Sequence, residues 1–243
     1  MSALYPRKLV TYPIRLRHLW LAVLLFVLSV GVPVVAAGPF TESDVVIVYS
    51  YDGENIGDGF GWVGANLGDL DNDGVADFGT TAPFYGGDDA NGKAYIYSGK
   101  SGALLHEMTG EAGNRLGYSM AGAGDVNADN RLDYVIGGPG GRVVVLSGVD
   151  HSLLLDLTSP EAITNEWFGA SVAGAGDVNG DNHDDLFIGA LRANASDTIT
   201  QTGRVYLLSG MDGTVLWSQL GEAPQGQLGS GVGAVGDVNG DDI

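Results

Sequence analysis

The stretch Gly176-Asp177-Val178-Asn179-Gly180-Asp181-Asn182 decides the fold, because close copies of it recur along the chain. The other copies begin at Gly68, Gly124 and Gly236, and the first aspartates of the four copies are 56, 52 and 60 residues apart. A period of this length is too long for leucine-rich or ankyrin units, but it suits a four-stranded propeller blade with its turns. The sequence therefore predicts an all-β propeller.

Each copy places oxygen-bearing side chains at alternate positions of a tight turn. Counting the first aspartate as position 1, acids or amides occupy positions 1, 3 and 5, and the three complete copies add an aspartate at position 9. Calcium takes six to eight oxygen ligands, and a backbone carbonyl at position 7 commonly completes such a loop. Position 6 is Gly, Asn or Asp, which tolerate a positive φ. Because the chain has no cysteine, oxygen ligands are the plausible metal chemistry, and we expect Ca²⁺.

The predicted ligands follow from these positions. The first loop offers Asp69, Asp71, Asp73, the Val75 carbonyl and Asp77. The second loop offers Asp125, Asn127, Asp129, the Arg131 carbonyl and Asp133. The third loop offers Asp177, Asn179, Asp181, the His183 carbonyl and Asp185, and the fourth offers Asp237, Asn239 and Asp241.

Ordinary surface turns and EF-hands are the two alternative interpretations of these loops. Asp, Asn and Gly also form ordinary surface turns, but such turns do not require acids at alternate positions, and clustered anions repel unless a cation neutralises them. An EF-hand needs a Glu at position 12 and flanking helices. Position 12 here is Thr80, Ile136 or Ile188, inside a predicted strand. Metal-binding loops between strands fit the pattern better.

Residues on both sides of the loops repeat as well. Eight or nine residues upstream lie Phe60-Gly61, Leu116-Gly117, Phe168-Gly169 and Leu228-Gly229. Downstream, apolar runs end in small-residue turns at Phe78-Gly79-Thr80-Thr81-Ala82-Pro83, Tyr134-Val135-Ile136-Gly137-Gly138-Pro139 and Leu186-Phe187-Ile188-Gly189-Ala190-Leu191. With these marks, residues 40–243 resemble the FG-GAP repeats of integrin α-type propellers, although Leu116, Leu228 and Leu191 depart from the pattern.

The resemblance implies a secreted propeller, usually of seven blades, for adhesion or recognition of an extracellular protein or glycan ligand. Residues 1–37 are expected to be a signal peptide and residues 38–243 a partial propeller, with repeats near 58–110, 115–160, 166–222 and 227–243. The last repeat stops before its position 9, which leaves about three and a half blades. We expect the missing blades to come from the rest of a longer chain or from a second chain.

Strand patterns follow the same period. Apolar or β-branched runs predict strands at Val45-Val46-Ile47-Val48-Tyr49, Lys93-Ala94-Tyr95-Ile96-Tyr97, Arg142-Val143-Val144-Val145-Leu146 and Arg204-Val205-Tyr206-Leu207-Leu208. Second runs at residues 103–105, 153–155 and 214–217 predict outer hairpin strands. No segment after the signal keeps a helical period, so we expect almost no helix. Tyr95, Tyr97, Tyr206 and Trp217 are expected between blades.

Composition and the first 37 residues limit the partners and the compartment. Lys and Arg number 11 against 30 Asp and Glu, a net charge of −19, which argues against nucleic acid and anionic membranes as partners. A basic stretch, an apolar run from Leu19 to Val35 and the small residues Val35-Ala36-Ala37 predict export and cleavage after Ala37. The alternative is an uncleaved anchor, which would be the one membrane contact. Either way we expect a secreted or cell-surface protein.

No catalytic constellation emerges from the sequence. Ser119 and Ser171 lack the second glycine of a nucleophile elbow and lie in predicted strands, at equivalent repeat positions that indicate packing between blades. The histidines of the mature chain lie in different repeat contexts. A non-enzymatic module is therefore predicted, with the non-catalytic propeller of a larger secreted enzyme such as a hydrolase as the alternative.

Overall fold

The computed structural model describes residues 48–162 and 165–235. Residues Asp52–Ile243 form one compact unit, and the preceding unit, Met1–Tyr51, is described only over residues 48–51. The predicted signal peptide and the fourth loop, with Asp237, Asn239 and Asp241, lie outside the described residues. Val48 and Tyr49 are not in a strand, so the prediction for residues 45–49 is wrong over its described part. The first sheet already has its four strands without them.

In the part of the chain that the structure describes, twelve antiparallel strands form three four-stranded sheets, each in simple sequential order. The first sheet contains β1 (Gly64–Gly68), β2 (Asp77–Ala82), β3 (Lys93–Tyr97) and β4 (Leu104–Thr109). The second contains β5 (Ser119–Gly124), β6 (Asp133–Gly138), β7 (Arg142–Leu146) and β8 (Leu153–Thr158). The third contains β9 (Phe168–Gly176), β10 (Asp185–Ala190), β11 (Arg204–Leu208) and β12 (Val215–Leu220). We call them blades one to three.

The blades confirm the all-β propeller expected from the repeat. The third strand of each blade has the bounds that the β-branched and aromatic runs predict. The outer strands continue several residues past the predicted apolar stretches, to Thr109, Thr158 and Leu220. Within the described ranges the only helix is a short 3-10 turn at Gly87–Asp89, as the missing helical period predicts.

The core lies between neighbouring blades. One apolar cluster joins blades one and two through Leu67, Ile96, Met120 and Ile136, and another joins blades two and three. Tyr95, Tyr97 and Tyr206 are buried as expected, but Trp217 is 49% exposed. The prediction for Trp217 is wrong because β12 is the outermost strand of its sheet and pairs with a neighbour on one side only.

Candidate metal-binding loops

The aspartate at position 9 is the buried anchor of each described loop. Asp77, Asp133 and Asp185 begin the second strand of their blades and are at most 1% exposed. One carboxylate oxygen of each accepts the position 2 N–H, at 2.7, 2.9 and 3.0 Å. The other oxygen accepts a glycine N–H after the third strand, at 2.9, 3.0 and 3.0 Å. Each aspartate thus fixes its loop to the outer hairpin of its own blade.

Positions 1, 3 and 5 fold the loop around their own oxygens. In the first loop, Asp69 accepts the N–H groups of Asp73 and Gly74 at 3.0 and 2.9 Å, and Asp71 accepts that of Asp73 at 3.1 Å. The same bonds recur in the second and third loops. Position 6 has a positive φ in all three, at Gly74, Asn130 and Asn182, as predicted.

The first loop brings its acids together most closely. Asp69, Asp71 and Asp77 each offer a carboxylate oxygen, and these three atoms lie within 4.8 Å of one another. Three hard oxygens at this spacing fit the ligand set of a divalent cation. Asp73 does not belong to this group, and its carbonyl accepts a hydrogen bond from Lys100 Nζ at 2.8 Å.

The second and third loops substitute an amide at position 3 and close differently. Asn127 Nδ2 donates to Asp129 Oδ2 at 2.9 Å, and Asn179 Nδ2 donates to Asp181 Oδ2 at the same distance. The uncharged amide therefore avoids the charge repulsion that a third carboxylate would add to the loop. Among the described residues, only the first loop gathers three acids in one cluster.

Burial and backbone contacts shift the pKa of several loop acids. Burial raises the pKa of Asp133 and Asp185, because removal from water disfavours the charged form, while backbone N–H groups oppose the rise. The pKa of Asp177 is lowered, chiefly by the Asn182 N–H. A cation bound beside Asp133 or Asp185 would favour the charged form of that carboxylate.

Position 7 has a role that sequence reasoning missed. Arg131 Nη2 donates to the carbonyls of Leu70 at 2.7 Å and Asp69 at 3.3 Å in the preceding loop. His183 Nδ1 lies 2.7 Å from the Val126 carbonyl, again in the preceding loop. Val75, Arg131 and His183 were predicted for their carbonyls alone. Their side chains differ so strongly that no sequence pattern indicated this link.

Comparison with known proteins agrees with the repeat motifs. Residues 168–208 match the family model described as FG-GAP repeat. The chain is 30% identical over 156 residues to integrin alpha-7 of Mus musculus, covering 59% of this chain and 13% of that protein. It is 32% identical over 164 residues to integrin alpha-E of Mus musculus, covering 57% and 14%. The matched region thus spans 13–14% of the length of these relatives.

A solved structure of the rhamnogalacturonan lyase YesW is also similar, with 12% identity and a TM-score of 0.42 over 64% of this chain and 33% of that chain. At this level the likeness carries no argument. The sheets and repeated loops define an all-β propeller protein of four-stranded blades. Within that class, residues 168–208 match the FG-GAP repeat, and the chain is similar to integrin α subunits.

Proposed function

We propose that this chain is a calcium-binding propeller module that serves adhesion or recognition of an extracellular protein or glycan ligand. The observation that carries the calcium part is the convergence of Asp69, Asp71 and Asp77 within 4.8 Å, in a loop whose backbone hydrogen bonds recur in the next two blades. Integrin relatives support the adhesion part. The whole protein's ligand and partner chains belong to the same proposal.

Calcium at these loops would act on the fold. The chain has no cysteine, so disulfides do not brace it. Each loop joins the first and second strands of a blade and is tied to the outer hairpin through its position 9 aspartate. A cation held by positions 1, 3 and 9 would neutralise the clustered acids and fix both strand ends. Secretion would supply that calcium, as the signal-like residues 1–37 suggest.

We also propose that this module is not an enzyme. The hydroxyls of Ser119 and Ser171 donate to the carbonyls of Gly169 and Gly229 in the following repeat, both at 2.8 Å. These serines are therefore engaged in packing between blades, which supports a structural role for them. In the described ranges, 48–162 and 165–235, no helix has the length and apolar character needed to cross a bilayer.

Thermal unfolding of the full chain with calcium and with a chelator tests the calcium proposal. A ligand at a hundredfold excess over its Kd stabilises by about 2.7 kcal/mol per site, and about 1 kcal/mol moves the Tm of a domain of this size by roughly 2–4 °C. We expect chelation to lower the Tm by at least about 5 °C. An unchanged Tm would contradict the proposal.

A matched pair of variants localises the effect. Asp71→Asn removes one charge from the first-loop cluster but keeps an oxygen, whereas Asp88→Asn removes one from the 3-10 turn of the same blade. Calcium titration by calorimetry should show weaker binding at one site for Asp71→Asn and unchanged binding for Asp88→Asn. Equal effects would mean that general surface charge attracts the ion.

A further inference from the structure

A cavity of about 460 Å³ lies where blade two meets blade three. Its lining includes Pro139 of the β6–β7 turn, Ser159 after β8, the residues Asn165, Glu166 and Trp167 directly before β9, and Phe168 at the start of β9. Because the strands are antiparallel, the β6–β7 turn lies at the opposite end of the sheet from the β5–β6 metal loop. Its volume falls in the range of small-molecule sites, about 300–1,000 Å³.

The cavity contains a buried acid with an unused oxygen. Glu166 is 2% exposed, its Oε2 lies 3.5 Å from the Tyr206 hydroxyl, and its Oε1 has no hydrogen-bond partner. The buried Ser159 hydroxyl lies near Glu166 but makes no hydrogen bond of good geometry. Burial raises the pKa of Glu166, while Ser159 and Tyr206 oppose the rise and no base contributes. Buried polar groups normally have partners, so a donor from outside would complete this site.

Blade one closes the same position with its own side chain. Asp58, Asn114 and Glu166 each lie two residues before the repeated pairs Phe60-Gly61, Leu116-Gly117 and Phe168-Gly169, and their carbonyls accept equivalent backbone bonds from Phe84, Gly140 and Arg192. The Asp58 carboxylate accepts two backbone N–H groups, at 3.1 and 2.9 Å, within its own turn. The longer Glu166 side chain of blade three instead faces the cavity.

Trp167 lies at a position where the backbone has a positive φ in each described repeat. Its φ is 62°, and the equivalent residues Gly59, Arg115 and Gln227 have φ values of 74°, 51° and 51°. The glycine of blade one shows that the fold does not require an aromatic ring there. The ring, and not the backbone conformation, therefore distinguishes blade three.

An aromatic row continues from the cavity across the blades. The Trp167 ring lies 5.9 Å from that of Tyr118, Tyr118 lies 5.4 Å from Trp62, and Trp62 lies 5.3 Å from Phe84. Trp62 is 48% exposed, although it is among the largest apolar side chains of the unit. Flat rings beside a polar cavity suit a ligand with one apolar face and a polar edge.

The local charges favour a neutral ligand. Arg204, next to Tyr206, is paired with Glu161, and its buried Nε has no partner. The guanidinium of Arg192 lies 3.7 Å above the Trp167 ring and would repel a cationic ligand. Glu166 would repel an anionic one. Because both a donor and an acceptor are unpaired here, a hydroxyl, which can donate and accept, matches the site better than an ammonium or a carboxylate.

We propose that the cavity and the aromatic row bind a neutral saccharide, with one sugar unit against Glu166 and Ser159 and neighbouring units along Trp167, Tyr118 and Trp62. The inference names a ligand class for the recognition role proposed above, and it does not depend on the calcium loops.

Calorimetric titration of the full chain tests this directly. The neutral probes are the β-1,4-linked tetramers of glucose, mannose and galactose with their monosaccharides, and the charged probes are the tetramers of glucosamine and glucuronate. At least one neutral tetramer should bind, more tightly than its monosaccharide and than both charged tetramers. Titrations with calcium and with chelator should agree, so failure of the calcium proposal would remain separate.

Three variants connect binding to the site. Glu166→Gln should weaken binding by about tenfold or more, because the acceptor loses its charge, while raising the Tm because a buried unpaired acid is removed. Trp167→Gly restores the residue of blade one, so it should fold normally but bind weakly. Trp217→Ala removes an exposed tryptophan from the outer strand of the same blade and should bind like the unmodified chain.

Other outcomes would overturn the inference. If the glucosamine tetramer bound more tightly than the glucose tetramer, the site would be a cation site. If no saccharide bound while Glu166→Gln raised the Tm, the carboxyl would be a buried acid without a ligand. Binding that survived both Glu166→Gln and Trp167→Gly would place the saccharide elsewhere.

Discussion

Asp77, Asp133 and Asp185 show how one side chain serves two purposes in an FG-GAP loop. Both carboxylate oxygens of each accept backbone N–H groups, one within the loop and one beyond the third strand. These bonds join only groups of the protein itself and hold the loop to its blade. The three loops share them and differ at position 3, where the first loop has Asp71 and the other two have Asn127 and Asn179.

Asn127→Asp should convert the second loop into the form of the first. The substitution adds a charge and removes the bond from Asn127 Nδ2 to Asp129 Oδ2, which frees an oxygen for the cation. Since ligand charge sets calcium affinity, we expect binding at this loop to tighten by about tenfold. In chelator, the added repulsion should instead lower the Tm by a few degrees, roughly 1 kcal/mol.

The control for this variant is Asn194→Asp. Asn194 Oδ1 accepts the Gln201 N–H in an exposed turn of blade three, and a carboxylate can keep that bond. Calorimetric titration and thermal melts of both variants, with and without calcium, are the measurements. If Asn127→Asp left affinity unchanged, loop charge would not determine calcium binding.

At the scale of the strand, the close approach of neighbouring blades depends on one glycine in each small-residue turn downstream of a loop. A Cβ on Gly137 would collide with the Gly169 carbonyl of the next blade, and a Cβ on Gly189 would collide with that of Gly229. The serines beside these contacts, Ser119 and Ser171, donate to the same two carbonyls. The repeat motif thus specifies an interface between blades as well as a strand end.

Gly137→Ala should therefore destabilise the unit by about 1–3 kcal/mol, the usual cost of overpacking. Gly122→Ala is the matched control, because Gly122 lies in the neighbouring strand of the same blade and a Cβ there would meet only the Asn66 carbonyl, at 3.7 Å. Chemical denaturation of both variants measures the difference. Comparable losses would indicate that the destabilisation does not come from this contact, because the effect of Gly→Ala on the unfolded chain is stabilising.

Strand elements differ in how far the sequence predicts them. The third strands were predicted to the residue because continuous β-branched runs are typical of strands buried on both faces. Trp217 was misplaced because burial depends on sheet order, and Val48 and Tyr49 because an alternating or apolar run does not by itself make a strand. The acidic loops were predicted as loops, whereas the gathering of Asp69, Asp71 and Asp77 without Asp73 depends on backbone geometry that composition does not contain.

At the scale of the whole molecule, specific side chains connect successive blades. Arg131 and His183 bind carbonyls of the preceding loop, and the rings of His106 and His151 stack at 4.7 Å between blades one and two. In the sequence these two histidines lie at different positions of their repeats, and nothing indicates that they meet. They stack in the structure because β4 and the β7–β8 turn are neighbours. Contacts of this kind form where two blades pack together, and the repeat motif alone does not predict them.

The histidine pair should make the unit less stable in mild acid. Burial lowers the pKa of both rings below the ordinary 6.5, His106 further lowers that of His151, and Glu107, Asp150 and Asp77 oppose these shifts. A base whose pKa is lower in the folded state binds protons more readily when unfolded. The neutral pair is therefore fully stabilising above pH 6.5, and stability is lost as the pH falls through 6.5 toward the folded values.

His106→Phe separates this effect from the carboxylates. A phenyl ring can keep the stack against His151 but cannot take up a proton, and it leaves the bond between Tyr134 and His151 Nδ1 in place. We expect the variant to match the unmodified chain near about pH 8 and to lose less Tm between about pH 7 and about pH 5.5, with calcium present throughout. The same pH dependence in both proteins would show that protonation of His106 does not cause the acid sensitivity.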